Sequence, residues 1–270
     1  MHSYKTLKIS ISDHIAVVKF NRPEKANALN DEVFEDMHHA FVALDMDDTV
    51  RVIILMAEGK HFCSGIDLSI LQNISQTNQA CGARKSENLR KQILNLQASI
   101  SAIENCSKPV ITAVSGGCIG AGLDVISACD MRYASEDAFF CIKEIDMGIV
   151  ADLGTLQRLP RLIPEGLVRE LAFTGRNVLP AEAEKIGLVN RYFQGRNELN
   201  EAVHAIAADI ASKSPVSVRG TKHILNYSRD HSVSEGLNYI ATWNAAMLLS
   251  EDLTEVFTAK QEKRNPEFRD

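Results

Sequence analysis

Within "CIKEIDMGIVADLGTLQRLP", residues 141–160, three carboxylates, Glu144, Asp146 and Asp152, stand among Ile, Met and Val. An ionised carboxylate beside apolar neighbours is costly, and a chain that keeps one there can use its raised pKa for proton transfer. A lone acid at a strand end or helix start is more often a cap or a solvated group. Chemistry therefore needs partners, and two glycine turns that follow apolar runs offer them: "HFCSGID" at 61–67 and "GGCIGAGLD" at 116–124, the second ending on a further acid, Asp124. Glycine lets backbone N–H groups approach an oxyanion, and a helix start adds a favourable dipole. Each turn can supply one donor.

Two competing chemistries fit less well. Taking Gly120 and Gly122 as the first pair of a G-x-G-x-x-G dinucleotide fingerprint puts Val125 where the third Gly or Ala belongs. Cys63 lies two residues after His61, but nothing else in the sequence marks an activated thiolate.

The elements that must position these groups follow from periodicity. Residues 5–11 and 15–20 alternate around Ser12, Asp13 and His14, predicting a β-hairpin. "NRPEKANALN" breaks that pattern, and Val33, Met37, Ala40, Phe41 and Leu44 then form a helical stripe with Asp31 near its start. "VRVIILMAEG" reads as a buried strand. A polar, loop-like stretch from about Ser69 to Ser86 precedes a helix marked by Leu89, Ile93, Leu96, Ile100 and Ile103. "KPVITAVSGGCIGAGLDVISACD" is strand, turn and helix, and "DAFFCIKE" another strand. Helices dominate beyond 153, including 198–212 with Val203, Ile206, Ala207 and Ile210 on one stripe. Strands alternating with helices and then mainly helices predict an α/β fold with a helical C-terminal region.

At 270 residues the chain can bury a full core. A net charge of −6 without a Lys/Arg block argues against nucleic acid or an anionic membrane as the main partner. The six cysteines include no CxxC pair and read as buried, reduced thiols of an intracellular protein. No signal peptide, membrane span or SKL ending is visible, so a soluble protein of the cytoplasm or an organelle matrix (mitochondrion or peroxisome) is expected. Tyr239, Trp243, Met247 and Phe257 are expected in packing or subunit contacts.

The segments "NRPEKANALN", "HFCSGIDL", "PVITAVSGGCIGAGLDVISACDMRYASEDAFFCIKE" and "LAFTGRNVLPAEAEKIGLVNRYF" together resemble the enoyl-CoA hydratase/isomerase (crotonase) superfamily over nearly the whole chain. The resemblance implies a spiral of ββα units in a core spanning 1–195, with a helical oligomerisation region over 196–270. It also implies a homotrimer or homohexamer, coenzyme A thioesters as substrates, no further cofactor and no metal. By the same resemblance the oxyanion hole uses the N–H groups of Ser64 and Ala121. Lys25, Ala26, Ala28, Gly65, Ile66 and Asp67 fall in segments lining the coenzyme A site, with Lys25 a candidate phosphate ligand.

Hydratases of this superfamily carry two glutamates and usually a glycine where this chain has Asp152; here the first acid is Asp124 and the second Glu144. The set Asp124, Glu144 and Asp152 resembles the Δ3,5-Δ2,4-dienoyl-CoA isomerase branch. That implies a proton taken from C2 by Asp152 and one given to C6 by Glu144, with Asp124 a third acid that orients or perturbs them. Asp146 receives no chemistry. A hydratase or Δ3-Δ2-enoyl-CoA isomerase is the alternative, and a non-catalytic acyl-CoA-binding or scaffold protein the alternative of another class.

Overall fold

The computed structural model describes residues 4–70 and 81–270. Strands β1 (Leu7–Ser12) and β2 (Ile15–Phe20) pair antiparallel through a two-residue turn, with Asp13 at φ 50° and His14 at φ 63°. Two left-handed residues give the turn whose twist matches that of the flanking strands. From β2 the sheet continues in parallel through β3 (Val52–Ala57), β4 (Val110–Val114), β6 (Met131–Ser135) and β8 (Arg191–Phe193). A second, two-stranded parallel sheet pairs β5 (Gly117–Ile119) with β7 (Phe139–Cys141).

Strand β3 shows why the sheet is covered on both faces. Ile53 and Leu55 belong to the main apolar cluster, while Val52, Ile54 and Met56 belong to a second one on the other side. Side chains alternate along a strand, so a fully apolar strand needs packing partners on each face. Helix α1 (Asp31–Asp45) buries Val33, Phe34, Met37, Ala40, Phe41 and Leu44. The helix starts at Asp31, as expected, and its cap is Asn30, whose side chain accepts the Val33 N–H at 3.1 Å.

Helix α2 (Gly82–Asn105) begins earlier than the expected end of the polar stretch at Ser86, and residues 71–80 of that stretch lie outside the described residues. Only Ser99, Ile100 and Ile103 of α2 are buried, so the Leu89 and Ile93 end stands largely clear of the core. The short helices α3 (Ala121–Ser127) and α4 (Thr155–Arg158) flank the acids, and α5 (Glu165–Thr174) and α6 (Pro180–Ile186) follow.

Helix α7 (Arg196–Ala211) lays Leu199, Val203, Ala207 and Ala211 on the second apolar cluster, against Ile54 and Ile111, with Ile206 and Ile210 at its margin. The packed core thus continues past residue 195 into the first helix of the 196–270 region. Helices α8 (Pro215–Arg229), α9 (Val233–Met247) and α10 (Glu251–Glu262) complete the chain. Trp243 seats on Gly220, where a Cβ would come within 2.8 Å of its ring nitrogen. Tyr239 stacks on Tyr227, whereas Met247 and Phe257 face outward. Five cysteines are buried as expected; Cys81 is exposed, because it precedes the solvent-facing end of α2.

Candidate active site

Three parallel segments end side by side at the site. Cys63 bridges to Cys118 of β5, donating its N–H to the Gly117 carbonyl and accepting from Ile119 N–H at 2.9 Å. Strand β7 lies on the other side of β5, and its Cys141 carbonyl accepts the Gly120 N–H at 2.9 Å. The two glycine turns and the Glu144 segment therefore emerge together from the carboxyl ends of neighbouring strands, where parallel sheets place ligands. Contact between the turns is close. A Cβ on Gly120 would stand 3.8 Å from the Gly65 Cα and 3.1 Å from the Glu144 Oε1, and Gly120 itself adopts φ +52°.

The donors of this crevice differ in one position from expectation. The Ser64 N–H is spent on the Ala26 carbonyl at 3.0 Å, so it is not available to an oxyanion. Leu29 pairs instead with both neighbours of Ile66, donating to the Gly65 carbonyl and accepting from the Asp67 N–H. Backbone groups alternate in direction along an extended segment, so the Ile66 N–H faces away from Leu29, and no described hydrogen bond uses it. Among the described residues, the unpaired N–H of this turn is therefore that of Ile66 and not that of Ser64. Ala121 opens α3, where the first N–H groups have no partner inside the helix. The carbonyl four residues back, Gly117, is already taken by Cys63.

The loop that carries Lys25, Ala26 and Ala28 is pinned by Asn27, which the sequence reading passed over. Asn27 is buried at φ 53°, accepts the Arg22 N–H at 2.9 Å and donates to the Glu58 and His61 carbonyls at 2.9 and 2.8 Å. Its role depends on partners more than thirty residues away, which no local pattern reveals. Lys25 is exposed at the rim. The Asp67 carboxylate is engaged by Arg22 at 3.3 Å and by Ser69, and these contacts hold it below the usual carboxylate range. It serves the loop's structure.

The acids converge. Asp124, 1% exposed in α3, accepts the Thr155 N–H at 2.6 Å and so ties α3 to the start of α4, just beyond Asp152. Burial is the main cause that pushes its carboxyl up to about 7; the Thr155 hydrogen bonds oppose it, and the negative charges of Glu144 and Asp152 add to it. Glu144 opens a 3-10 turn (Glu144–Met147) shortly after β7, and its Oε2 is buried without a hydrogen-bond partner among the described residues. Burial raises its pKa first and the charge of Asp152 raises it further. Asp152 is raised by burial as well, although it sits at the surface of a cleft of about 460 Å³ shared with Gln97 and Glu104. Glu144 opens on a separate, mainly apolar cavity of about 370 Å³ with Ile142, Leu156 and Val168.

The remaining candidates fall away. Burial pushes the Cys63 thiol up to about 12, which removes it as a nucleophile. The Asp146 carboxylate pairs with exposed Lys143, in keeping with a structural place. A cavity of about 760 Å³ between α8 and the body contains none of the three acids.

The chain belongs to the enoyl-CoA hydratase/isomerase family, whose profile matches residues 10–270. Among its relatives, it is 50% identical over 274 residues to the peroxisomal Δ(3,5)-Δ(2,4)-dienoyl-CoA isomerase of Arabidopsis thaliana, covering 99% of this chain and 98% of that protein. It is 46% identical to the mitochondrial Δ(3,5)-Δ(2,4)-dienoyl-CoA isomerase of Mus musculus, over 98% of this chain and 82% of the other. A crystal structure of enoyl-CoA hydratase from Bacillus anthracis superposes with a TM-score of 0.89 at 29% identity, covering 98% of this chain and 99% of that one.

Proposed function

We propose that this chain isomerises 3,5-dienoyl-CoA to 2,4-dienoyl-CoA in the β-oxidation of unsaturated fatty acids. The N–H groups of Ile66 and Ala121 hold the thioester oxygen. Asp152 removes a proton from C2, and the electron pair spreads from the thioester oxygen to C6 as a dienolate. Glu144 then delivers a proton at C6, which leaves double bonds at C2 and C4. C2 and C6 lie roughly 5 Å apart in an extended chain, beyond the ~3 Å reach of one proton-transfer group, so two acids are required. Each oxyanion donor is worth roughly 3 kcal/mol of transition-state stabilisation.

The observation that carries this reading is that two carboxylates, Glu144 and Asp152, lie near enough for the charge of one to act on the other, while burial raises the pKa of both. Two such acids can divide the roles of base and proton donor. The isomerase names of the Arabidopsis and mouse relatives agree with it.

The reading asks for no cofactor beyond the coenzyme A of the substrate. It also includes a homotrimer or homohexamer, supported by the outward-facing Leu237, Leu248, Leu249 and Phe257 on and between α9 and α10. An organelle-matrix setting follows the peroxisomal and mitochondrial relatives. No described helix is long and apolar enough to cross a membrane. Parallel turnover assays with 3,5-dienoyl-CoA and 2-enoyl-CoA test the activity. Conjugated 2,4-dienoyl product from the first supports it, and water addition to the second without isomerisation refutes it.

A further inference from the structure

The segment that presents Asp152 is gripped from below by a stripe of α2. Gln97, Ser101 and Glu104 are spaced i, i+4 and i+7 on this helix, which puts them on one face. Gln97 donates to the Asp152 carbonyl at 2.6 Å. Glu104 accepts from the Arg158 Nε and a terminal nitrogen at 3.1 and 2.9 Å, and Ser101 accepts from the same guanidinium at 3.2 Å. Arg158 in turn reaches the Leu153 carbonyl at 3.4 Å. Gly154 has φ +131°, and a Cβ there would stand 1.8 Å from an Arg158 nitrogen, so the guanidinium lies directly beneath the Leu153–Gly154 peptide.

Arg158 and Glu104 keep only 13% and 15% of their side chains exposed, and the second Glu104 oxygen takes Arg229 of α8. Burial works against the Glu104 charge, but the two guanidiniums prevail and hold its carboxyl below the ordinary range. Such a pair is poor evidence for added stability, because desolvation offsets the attraction. Its position suggests another use. Asp152 is exposed at its cleft, so the direction of its carboxylate depends on how its backbone is held. The contact Arg158 makes with this segment is to its backbone, at the Leu153 carbonyl.

We propose that Glu104 is a positioning residue for Asp152: it fixes the Arg158 guanidinium, which fixes the Leu153–Gly154 peptide and with it the direction of the Asp152 carboxylate. This rests on the reading of Asp152 as the C2 base. A displacement near 1 Å at a reacting group can lower a rate on the order of 100-fold.

The test compares Glu104→Gln, Arg158→Gln and the double variant with the wild type, measuring kcat, KM, the pH profile and deuterium uptake at C2 of 3,5-dienoyl-CoA. Glu104→Gln is expected to lower kcat and C2 exchange together by about tenfold or more, with KM within about twofold. Its acid limb should move to lower pH as Asp152 loses its fixed surroundings. The double variant should lose no more than the worse single one, since both act through one contact. If Glu104→Gln does not fold, Glu104→Asp, which keeps the charge but shortens the reach, should show the same changes to a smaller extent.

Unchanged kcat and C2 exchange in a folded variant, or losses that multiply in the double variant, overturn the proposal. A lowered melting temperature with an intact kcat shows a purely structural pair and overturns it too. A wild type that neither isomerises nor exchanges C2 removes the parent reading instead.

Discussion

Asp124→Asn isolates the energetic consequence of burying a third acid. In the folded chain the Asp124 carboxyl titrates at about 7 against 3.8 for a free aspartate, chiefly because it is out of water. The displacement corresponds to a penalty on the order of 4 kcal/mol against the ionised form. The sign follows from proton uptake: between 3.8 and about 7 the folded state holds a proton that the unfolded state has lost. Stability from this group is therefore complete below 3.8, declines as pH rises, and levels off above about 7. Asparagine keeps an oxygen for the Thr155 N–H but cannot ionise. Wild type and variant should be similar near pH 4. The variant should gain with rising pH, by up to about 4 kcal/mol at pH 8, or roughly 8–16 °C in melting temperature. Glu144 and Asp152 are present in both proteins, so the difference between their curves reports Asp124 and its coupling to them. Denaturation at fixed protein concentration from pH 4 to 9 measures it. A difference that does not change with pH refutes the reasoning.

Glu144→Gln should retain folding and thioester binding, because the amide nearly matches the acid in size, while turnover falls at least ~100-fold for want of a proton donor at C6; steady-state kinetics with a binding titration check it. Gly120→Ala should lower turnover strongly, since the new methyl would meet Glu144 Oε1 at 3.1 Å and the residue must hold φ +52°. Rates together with a melting curve separate that effect from unfolding.

Much of the scaffold was legible because it is written in local periods. The Ser12–His14 turn, the α1 stripe from Val33 to Leu44 and the β3 run all follow from alternation or helical spacing. The acids were legible too, as charges in apolar company; the structure sets Asp124, Glu144 and Asp152 near enough for their charges to act on one another, with Glu144 and Asp152 opening on separate cavities. The direction of single N–H groups was not. Whether Ser64 or Ile66 donates depends on Gly65 at φ +104° and on pairing with Leu29, across thirty-six positions of sequence. Nothing local marks the Gln97, Ser101 and Glu104 stripe, because its meaning lies in Arg158, fifty-four residues beyond Glu104. The continuation of the core past 195 was equally hidden, since α7 carries a stripe like any surface helix and only the second face of the sheet shows where it packs.

The most direct test of the account is deuterium uptake at C2, followed alongside product formation, in Asp152→Asn. With Asp152 as the C2 base, exchange and isomerisation both need it, and both should fall together by at least ~100-fold while substrate still binds. An Asp152 that only capped α4 would be replaced by asparagine with little loss, leaving both rates near wild type. Retained C2 exchange with lost product would contradict the assignment, because it would make Asp152 the donor at C6 and leave the C2 proton to another group.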